Sequence, residues 1–506
     1  MQQTASIEKT ITHIDVDEVM QNAFNAFNQY KKLSAAKRAT FLETIADEIE
    51  KLREQLVPVA NEETNLPLPR LNGEITRTTS QLKMFAALIK EGSWVEASID
   101  TADANRTPPK PDLRKMLVPV GPVIVFGASN FPFAFSTAGG DTASALASGS
   151  SVVIKAHSAH AKTSELVFSA IQKAIEISGV PEYTVQHVMG AGNTVGKALV
   201  MHPHAKGVGF TGSFAGGKAL VDYSSQREIP IPVFAEMSSI NPVVFYPDTV
   251  EKNAGALASM YAASITLGVG QFCTNPGTLL GIKGESFNNF LSTLGKEITK
   301  VQPQKMLHSG ICSSYAKGLT GMLAQQGLQV IAQSSSEAND MEAIALVASV
   351  TAKDFLNNKH FTEEVFGPYS LAIICDDKTQ LKQCLQNLKG QLTSTIMATE
   401  KDIADFADVI ELQHTLAGRI LLNNAPTGVE VCASMVHGGP YPATTDARFT
   451  SVGTTAIKRW VRPICLQNFN DDMLPDALKN ENPSGILRLV DIVYTRDAVK
   501  GISRKV

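Results

Sequence analysis

What most constrains this chain is a rhythm that starts at Pro122. Short apolar runs (Val123-Ile124-Val125-Phe126, Val152-Val153-Ile154, Val185 to Met189, Val208-Gly209-Phe210, Pro232-Val233-Phe234) alternate with helical patterns. Those patterns run through Ala147, over about Thr163 to Ile177, near Val195 to Met201 and near Gly216 to Tyr223. β-rich runs separated by helices form βαβ units, so the expected class is α/β, with a parallel sheet covered by helices on both faces. A second alternating region runs from about Asn253 to Asn424. Its expected strands are Thr278–Ile282, Gln329–Ile331, Ala345–Val350, Leu371–Ile374, Thr395–Ala398 and Arg419–Leu422. Upstream, Met20, Ala23, Phe24, Phe27 and Tyr30 follow helical spacing, as do Phe41, Leu42, Ile45, Ile49 and Leu52, with Ser34 as an N-cap. Between Trp94 and Val120 the pattern changes. A strand over Val95 to Ile99, a polar stretch with Pro108, Pro109 and Pro111, and apolar Met116 to Val120 predict a long hairpin or projecting arm.

Length allows two to four domains over 506 residues. With 45 basic against 49 acidic residues the net charge is −4, which gives no electrostatic footprint for nucleic acid or a polybasic membrane partner. The most apolar stretch, Val118 to Ala128, is short and broken by Pro119, Gly121, Pro122 and Gly127, so no membrane span is expected. The six cysteines all follow residue 270 and none forms a C-x-x-C pair, which suits reduced thiols. Met1-Gln2-Gln3-Thr4 has neither a basic nor an apolar leader region, and the chain ends in a basic tail. The expectation is a cytoplasmic protein.

Several residues stand where chemistry could occur. Gly207-Val208-Gly209-Phe210-Thr211-Gly212 matches G-x-G-x-x-G, but on a strand rather than between strand and helix. Gly212-Ser213 is better placed, opening a helix whose amides face a phosphate or simply make a tight turn. Cys273 lies in Gly268-Val269-Gly270-Gln271-Phe272-Cys273-Thr274-Asn275-Pro276-Gly277, where three glycines suit close backbone approach. It reads either as a nucleophile or as a small buried hydrophobe. Cys375 and Cys465 read as core residues, and Cys312, Cys384 and Cys432 carry no signal. Glu236 ends an apolar strand, either as a working acid with a raised pKa or as a solvated loop residue. Asn130 and Lys155 follow or end strands of the first series, as site residues or as an ordinary turn and surface lysine. His157, His160, His202 and His204 lack partner acids, so no metal site is expected. There is no G-x-S-x-G elbow and no P-loop.

In this order, Asn130-Phe131-Pro132-Phe133, Lys155, Phe210-Thr211-Gly212-Ser213, Glu236, Gly270-Gln271-Phe272-Cys273 and Glu364-Val365-Phe366-Gly367-Pro368 resemble the aldehyde dehydrogenase superfamily. The resemblance covers nearly the whole chain. Lys155-Ala156-His157-Ser158-Ala159-His160, His437-Gly438-Gly439-Pro440-Tyr441-Pro442-Ala443-Thr444 and the stretch from Asn65 to Thr79 resemble one bacterial branch. That branch holds α-ketoglutarate semialdehyde (2,5-dioxovalerate) dehydrogenases and NADP-dependent fatty aldehyde dehydrogenases. The resemblance implies two Rossmann-like parallel-sheet domains plus a small oligomerisation arm. It places a cofactor-binding domain at 1–94 and 119–236, the arm at 95–118, a catalytic domain at 237–440, and a C-terminal segment with an oligomerisation strand at 441–506. It implies a homodimer or homotetramer.

By the same resemblance, Cys273 forms a thiohemiacetal with the aldehyde, Asn130 and the Cys273 N–H hold the oxyanion, and a nicotinamide takes the hydride. Glu236 then activates the water that hydrolyses the thioester. Glu364 and Phe366 meet the nicotinamide riboside, Lys155 the adenosine ribose, and Gly212-Ser213 the pyrophosphate. Two departures matter. Met237-Ser238-Ser239-Ile240 stands where the family often has Leu-Gly-Gly-Lys after the base. Ser158 stands where many NAD-preferring members carry glutamate, which favours NADP, with Lys155 and His157 for its 2′-phosphate, though NAD remains possible. A semialdehyde carboxylate needs a cation, and Arg70 and Arg77, seven apart, share a helix face. One of them binds it, or both are ordinary surface arginines. An acylating dehydrogenase is disfavoured by Glu236, and a silent structural protein by the presence of Cys273, Glu236 and Asn130 together.

Overall fold

The computed structural model describes residues 15–499. The opening Met1-Gln2-Gln3-Thr4 and the basic tail lie outside the described residues. The five apolar runs after Pro122 become one parallel sheet, ordered Val185–Val188, Val152–Lys155, Val123–Phe126, Gly207–Thr211, Val233–Glu236. Side chains alternate across a strand, and both faces are covered. Val123 and Val125 join Phe41, Leu42, Ile45, Leu82, Phe85 and Ile171 in the core under three helices, Ala35–Lys51, Leu68–Glu91 and Ala161–Ser178. Ile124 and Phe126 point the other way, into a core with Met20, Ala23, Leu199 and Leu220. Ser34 caps the helix Ala35–Lys51, its Oγ accepting from the Lys37 N–H at 3.2 Å. Strand order reverses at Val123–Phe126, so a crevice opens at the carboxyl ends of that strand and its neighbour Gly207–Thr211.

A second sheet has seven strands, in the order Gln329–Gln333, Leu346–Thr351, Tyr369–Cys375, Thr278–Ile282, Pro242–Phe245, Gln391–Met397, Ala417–Leu422. All pair in parallel except the edge strand Gln329–Gln333. The two parallel sheets are the α/β architecture that the alternation predicts.

The remaining strands, Val461–Gln467, Leu113–Pro119, Ser98–Asp100, Arg488–Val490 and Val493–Thr495, form a separate five-stranded sheet. Here two expectations change. Gly92 (φ 84°) and Glu96 (φ 53°) are left-handed, so Ser93–Val95 is a 3₁₀ turn and the strand starts only at Ser98. Cys465 is exposed rather than core, because the strand Val461–Gln467 turns much of its surface to solvent. Cys384, which carried no signal, is buried and hydrogen-bonded to buried Cys375. Among the described residues no helix is long and apolar enough to cross a membrane.

The segment after the second sheet returns to the first through Trp460. That side chain is fully buried, donates from Nε1 to Ser144 Oγ at 2.8 Å, and meets Phe234 edge-on at 5.4 Å. Trp460→Ala should lower stability by about 3–5 kcal/mol in urea unfolding; a loss below about 1 kcal/mol would show that the contact is dispensable.

Candidate active site

The loop that carries Cys273 is wound tightly. After the helix Pro247–Thr266 the chain passes through Gly268 (φ 54°), Val269 (φ 59°) and Gly270 (φ 63°). A β-branched residue at positive φ is strained, and such strain persists only where surroundings over-determine it. Gly270 lies against the Gly367 backbone: a Cβ there would sit 2.2 Å from the Gly367 carbonyl oxygen. Buried Asn241 completes the clamp. Its Nδ2 donates to the carbonyls of Cys273 (2.8 Å) and Asn275 (2.9 Å). Its Oδ1 lies 2.9 Å from Ser239 Oγ and accepts from Thr393 Oγ1 at 3.0 Å. The serines that replace the family's glycines therefore have work: Ser239 joins this network, and Ser238 Oγ accepts from the Phe214 N–H at 3.3 Å.

The Cys273 sulfur lies 3.4 Å from His437 Nε2, and that nitrogen lies 2.9 Å from Glu236 Oε1. Ser451 Oγ donates to Glu236 Oε2 at 2.7 Å. Glu236 and His437 are 3% and 0% exposed, while Cys273 is only partly covered. Burial alone would raise the Glu236 carboxyl, but His437 and Ser451 outweigh it and hold it below the usual carboxylate range. Burial first, then the Glu236 charge, push the Cys273 thiol well up, against the pull of Arg77. Both effects disfavour the thiolate form of Cys273.

Asn130 meets the same loop, its Nδ2 donating to the Gln271 carbonyl at 3.2 Å. Its own carbonyl accepts from Arg70 Nη2 at 2.7 Å. Arg70 stands over the rings of Phe131 (5.0 Å) and Phe272 (4.7 Å). One turn on, buried Glu74 accepts from the N–H groups of Phe133 (2.8 Å) and Ala134 (3.0 Å). Arg70 and Glu74 thus pin the Asn130 loop. Arg77 differs: it lies over Phe135 at 5.5 Å, its buried Nε has no hydrogen-bond partner, and the charges of Glu74, Cys273, Glu430 and Glu236 reach it.

A cleft of about 480 Å³ runs from the sheet crevice to Cys273, lined by Gly127, Asn130, His157, Gly212, Ser213, Glu236, Cys273, Glu364 and Phe366 among others. It fits an elongated dinucleotide. At one wall Gly212 and Gly216 face the Phe210 ring so closely that a Cβ on either would lie 2.7 or 2.8 Å from it. Ser213 caps the helix Phe214–Ser225 through Gly216 N. The Gly212 N–H is already bonded to the Glu236 carbonyl, so this glycine contributes space rather than a donor. The G-x-G-x-x-G match lies on the strand Gly207–Thr211, as its position suggested. Glu364 hydrogen-bonds with Ser238 and the Ser239 N–H, yet burial pushes its carboxyl up to about 7.

At the adenosine end the picture changes in one respect. Lys155 ends its strand with no acidic partner among the described residues, and Ser158 is exposed. His157, however, is held down to about 3, by burial and then by the charges of His160, Lys155 and His308, and its Nδ1 accepts from the Ala159 N–H. Its Nδ1 thus forms the turn, and burial with its cationic and imidazole neighbours disfavours the imidazolium.

Sequence reasoning missed His437, Ser451, Asn241 and Glu74 as site residues. His437 stood in a glycine-rich motif used only for its resemblance. A fifth, Arg419, donates to the Pro426 and Gly428 carbonyls and also feels the Cys273 charge.

Residues 2–440 match the model of the aldehyde dehydrogenase family. The chain belongs to the aldehyde dehydrogenase family. It is an NAD(P)-dependent oxidoreductase that converts an aldehyde to the acid. It is 46% identical to alpha-ketoglutaric semialdehyde dehydrogenase 2 of Azospirillum brasilense, over 94% of this chain and 91% of that protein. It is also 46% identical to alpha-ketoglutaric semialdehyde dehydrogenase of Acinetobacter baylyi, over 98% and 94%. In fold it matches betaine aldehyde dehydrogenase of Staphylococcus aureus, with a TM-score of 0.76 at 18% identity over 90% of this chain and 88% of that one. PnpE of Pseudomonas sp. WBC-3 matches with a TM-score of 0.73 at 22% identity over 91% of each chain.

The ribose role that the resemblance implies for Glu364 has a pH signature: ribose hydroxyls donating to its carboxylate favour the anion, so a dinucleotide should bind more tightly as pH rises from about 6 to 8, across the Glu364 value of about 7. Calorimetry in buffers of different ionisation enthalpy should show proton release near pH 7 that Glu364→Gln abolishes. Equal release from both proteins would separate the carboxyl from cofactor binding.

Proposed function

We propose that this chain oxidises a short aldehyde bearing a distal carboxylate, of the α-ketoglutarate semialdehyde type, to the acid, with water as the final acyl acceptor. The carrying observation is the contact of Cys273 Sγ and Glu236 Oε1 with one His437 nitrogen, at the inner end of the cleft. Cys273 gives its thiol proton to Glu236, which passes it to solvent, and attacks the carbonyl carbon as a thiolate; the C–S bond forms as the C=O π pair moves to oxygen, which takes the negative charge. The Asn130 amide and the Cys273 N–H donate to that oxygen, each such donor being worth roughly 10²–10³ in rate. The bound nicotinamide supplies the hydride acceptor. Gly212, Ser213, Glu364, Phe366 and Lys155 are the residues that would hold the dinucleotide. Glu236 then removes a proton from water as it attacks the thioester; the C–S bond breaks and the acid leaves.

His437 has one Nε2–H and two anions within its reach. While Cys273 is a thiolate, that proton stabilises sulfur; once sulfur is acylated and neutral, it turns to Glu236. His437 therefore positions both groups and steadies each charge in turn.

Each arginine keeps one buried nitrogen without a partner, Arg70 Nη1 and Arg77 Nε, but the charges of Cys273 and Glu236 reach Arg77, so Arg77 is assigned to the substrate carboxylate. NADP is the preferred cofactor: an unpaired Lys155 beside Ser158 welcomes a 2′-phosphate without repelling it. The reading also includes a homo-oligomer assembled through the sheet edge at Val493–Thr495, where Val493 and Tyr494 are exposed.

The ratio of kcat/KM for α-ketoglutarate semialdehyde to that for pentanal should fall about 10–100-fold in Arg77→Ala, from loss of a charge-assisted contact. An unchanged ratio would remove Arg77 from carboxylate recognition. Glu236→Gln should give a burst of reduced cofactor, then steady turnover lowered at least roughly 100-fold. Wild-type steady turnover in that variant would end the base assignment.

A further inference from the structure

The sequence offered no metal-ligand spacing, yet the fold gathers three unlike donors at one point. The ligand atoms of Glu236, Cys273 and His437 all lie within 4.8 Å of one another, the one such group among the described residues. We propose that these residues also form an inhibitory site for a thiophilic divalent cation, of which Zn²⁺ is the type. This rests on Cys273 being the nucleophile, because occupancy of the site would then block its attack.

The geometry and the donor chemistry agree. Tetrahedral zinc with Zn–S of about 2.3 Å and Zn–N or Zn–O of about 2.0–2.2 Å separates its donors by roughly 3.3–3.6 Å. The Sγ to Nε2 distance is 3.4 Å, and Nε2 to Oε1, now a hydrogen bond at 2.9 Å, opens by a few tenths of an ångström once a metal replaces the proton. Ser451 fixes Oε2 at 2.7 Å, which leaves Oε1 as the oxygen turned toward the other two donors. Thiolate and imidazole exclude Mg²⁺ and Ca²⁺ as ligands of choice and select softer ions. Thiolate and carboxylate together carry two negative charges, which a dication compensates. On binding, the metal–sulfur, metal–nitrogen and metal–oxygen bonds form, the thiol proton is released to buffer, and the His437 proton moves from Nε2 to the unpartnered Nδ1. No oxidant or reductant enters. The cleft that admits the dinucleotide also gives the ion its route, and solvent supplies the fourth ligand.

The test uses the full-length enzyme without cofactor, first with Co²⁺ alone, then Zn²⁺ alone. Co²⁺ should give a thiolate-to-cobalt charge-transfer band and tetrahedral visible absorption at one ion per chain, displaced by Zn²⁺. Cys273→Ser should abolish the band. His437→Asn should weaken binding at least about tenfold, by loss of one of three protein ligands. Cys432→Ser, at an exposed thiol, should leave it unchanged. Zn²⁺ should inhibit turnover, and a chelator should restore it. A band that survives Cys273→Ser, or no stoichiometric band while turnover is normal, overturns the metal site and leaves the dehydrogenase reading intact. A normal band in a chain that turns over no aldehyde overturns the reading of function instead.

Discussion

A carboxylate stripped of water must be given donors, and at Glu236 that requirement reaches across the chain. The group ends the last strand of the first sheet and is almost wholly buried. Its donors, His437 and Ser451, arrive from more than two hundred residues later. To deliver them, the segment after the second sheet folds back along the first. Met237 N bonds to the Ala443 carbonyl at 2.7 Å, Ala235 N to Thr445 Oγ1 at 3.0 Å, and Glu236 pairs with Thr444 as an isolated bridge. An unpaired buried charge costs several kcal/mol, so this return is a condition of the fold as well as of the chemistry.

The helix Leu68–Glu91 shows how one face divides its duties. Arg70 and Glu74 satisfy backbone groups of the Asn130 loop, and cation–π contacts with Phe131 and Phe272 hold the guanidinium in place. A residue so engaged shapes the site, although its Nη1, too, is buried without a partner. Arg77, a turn later, keeps a buried Nε without a partner and senses the charges around the nucleophile. Equivalent in the sequence, the two arginines are separated by what their neighbours already demand of them.

The alternation of apolar runs made the first sheet and most of the second legible, because strands covered on two faces need no polar positions, but the interior strand Pro242–Phe245 fell between the two alternating regions and was missed. Cys273 and Glu236 were legible as candidates through their glycine-rich loop and strand-end position, and the ordered motifs favoured the catalytic reading of both. His437 was not, since it lies 164 residues from Cys273 and only the return of the chain makes them neighbours. Nor was the cost of charging His157, which depends on burial and on three nearby cationic or imidazole groups. Cys465 misled because an apolar run does not say which face of its strand meets solvent. The left-handed residues at Gly92 and Glu96 displaced a strand whose composition gave no warning.

The contact between Gly270 and the Gly367 carbonyl has a consequence for engineering and for inheritance. It ties the nucleophile loop to the segment that presents Glu364 and Phe366, with no side chain between them to absorb a mismatch. Neither segment can be transplanted from a distant homologue alone; a graft that recasts substrate choice must carry both, together with Asn241 beneath them. A crossover placed between the two segments would have to reproduce this backbone contact.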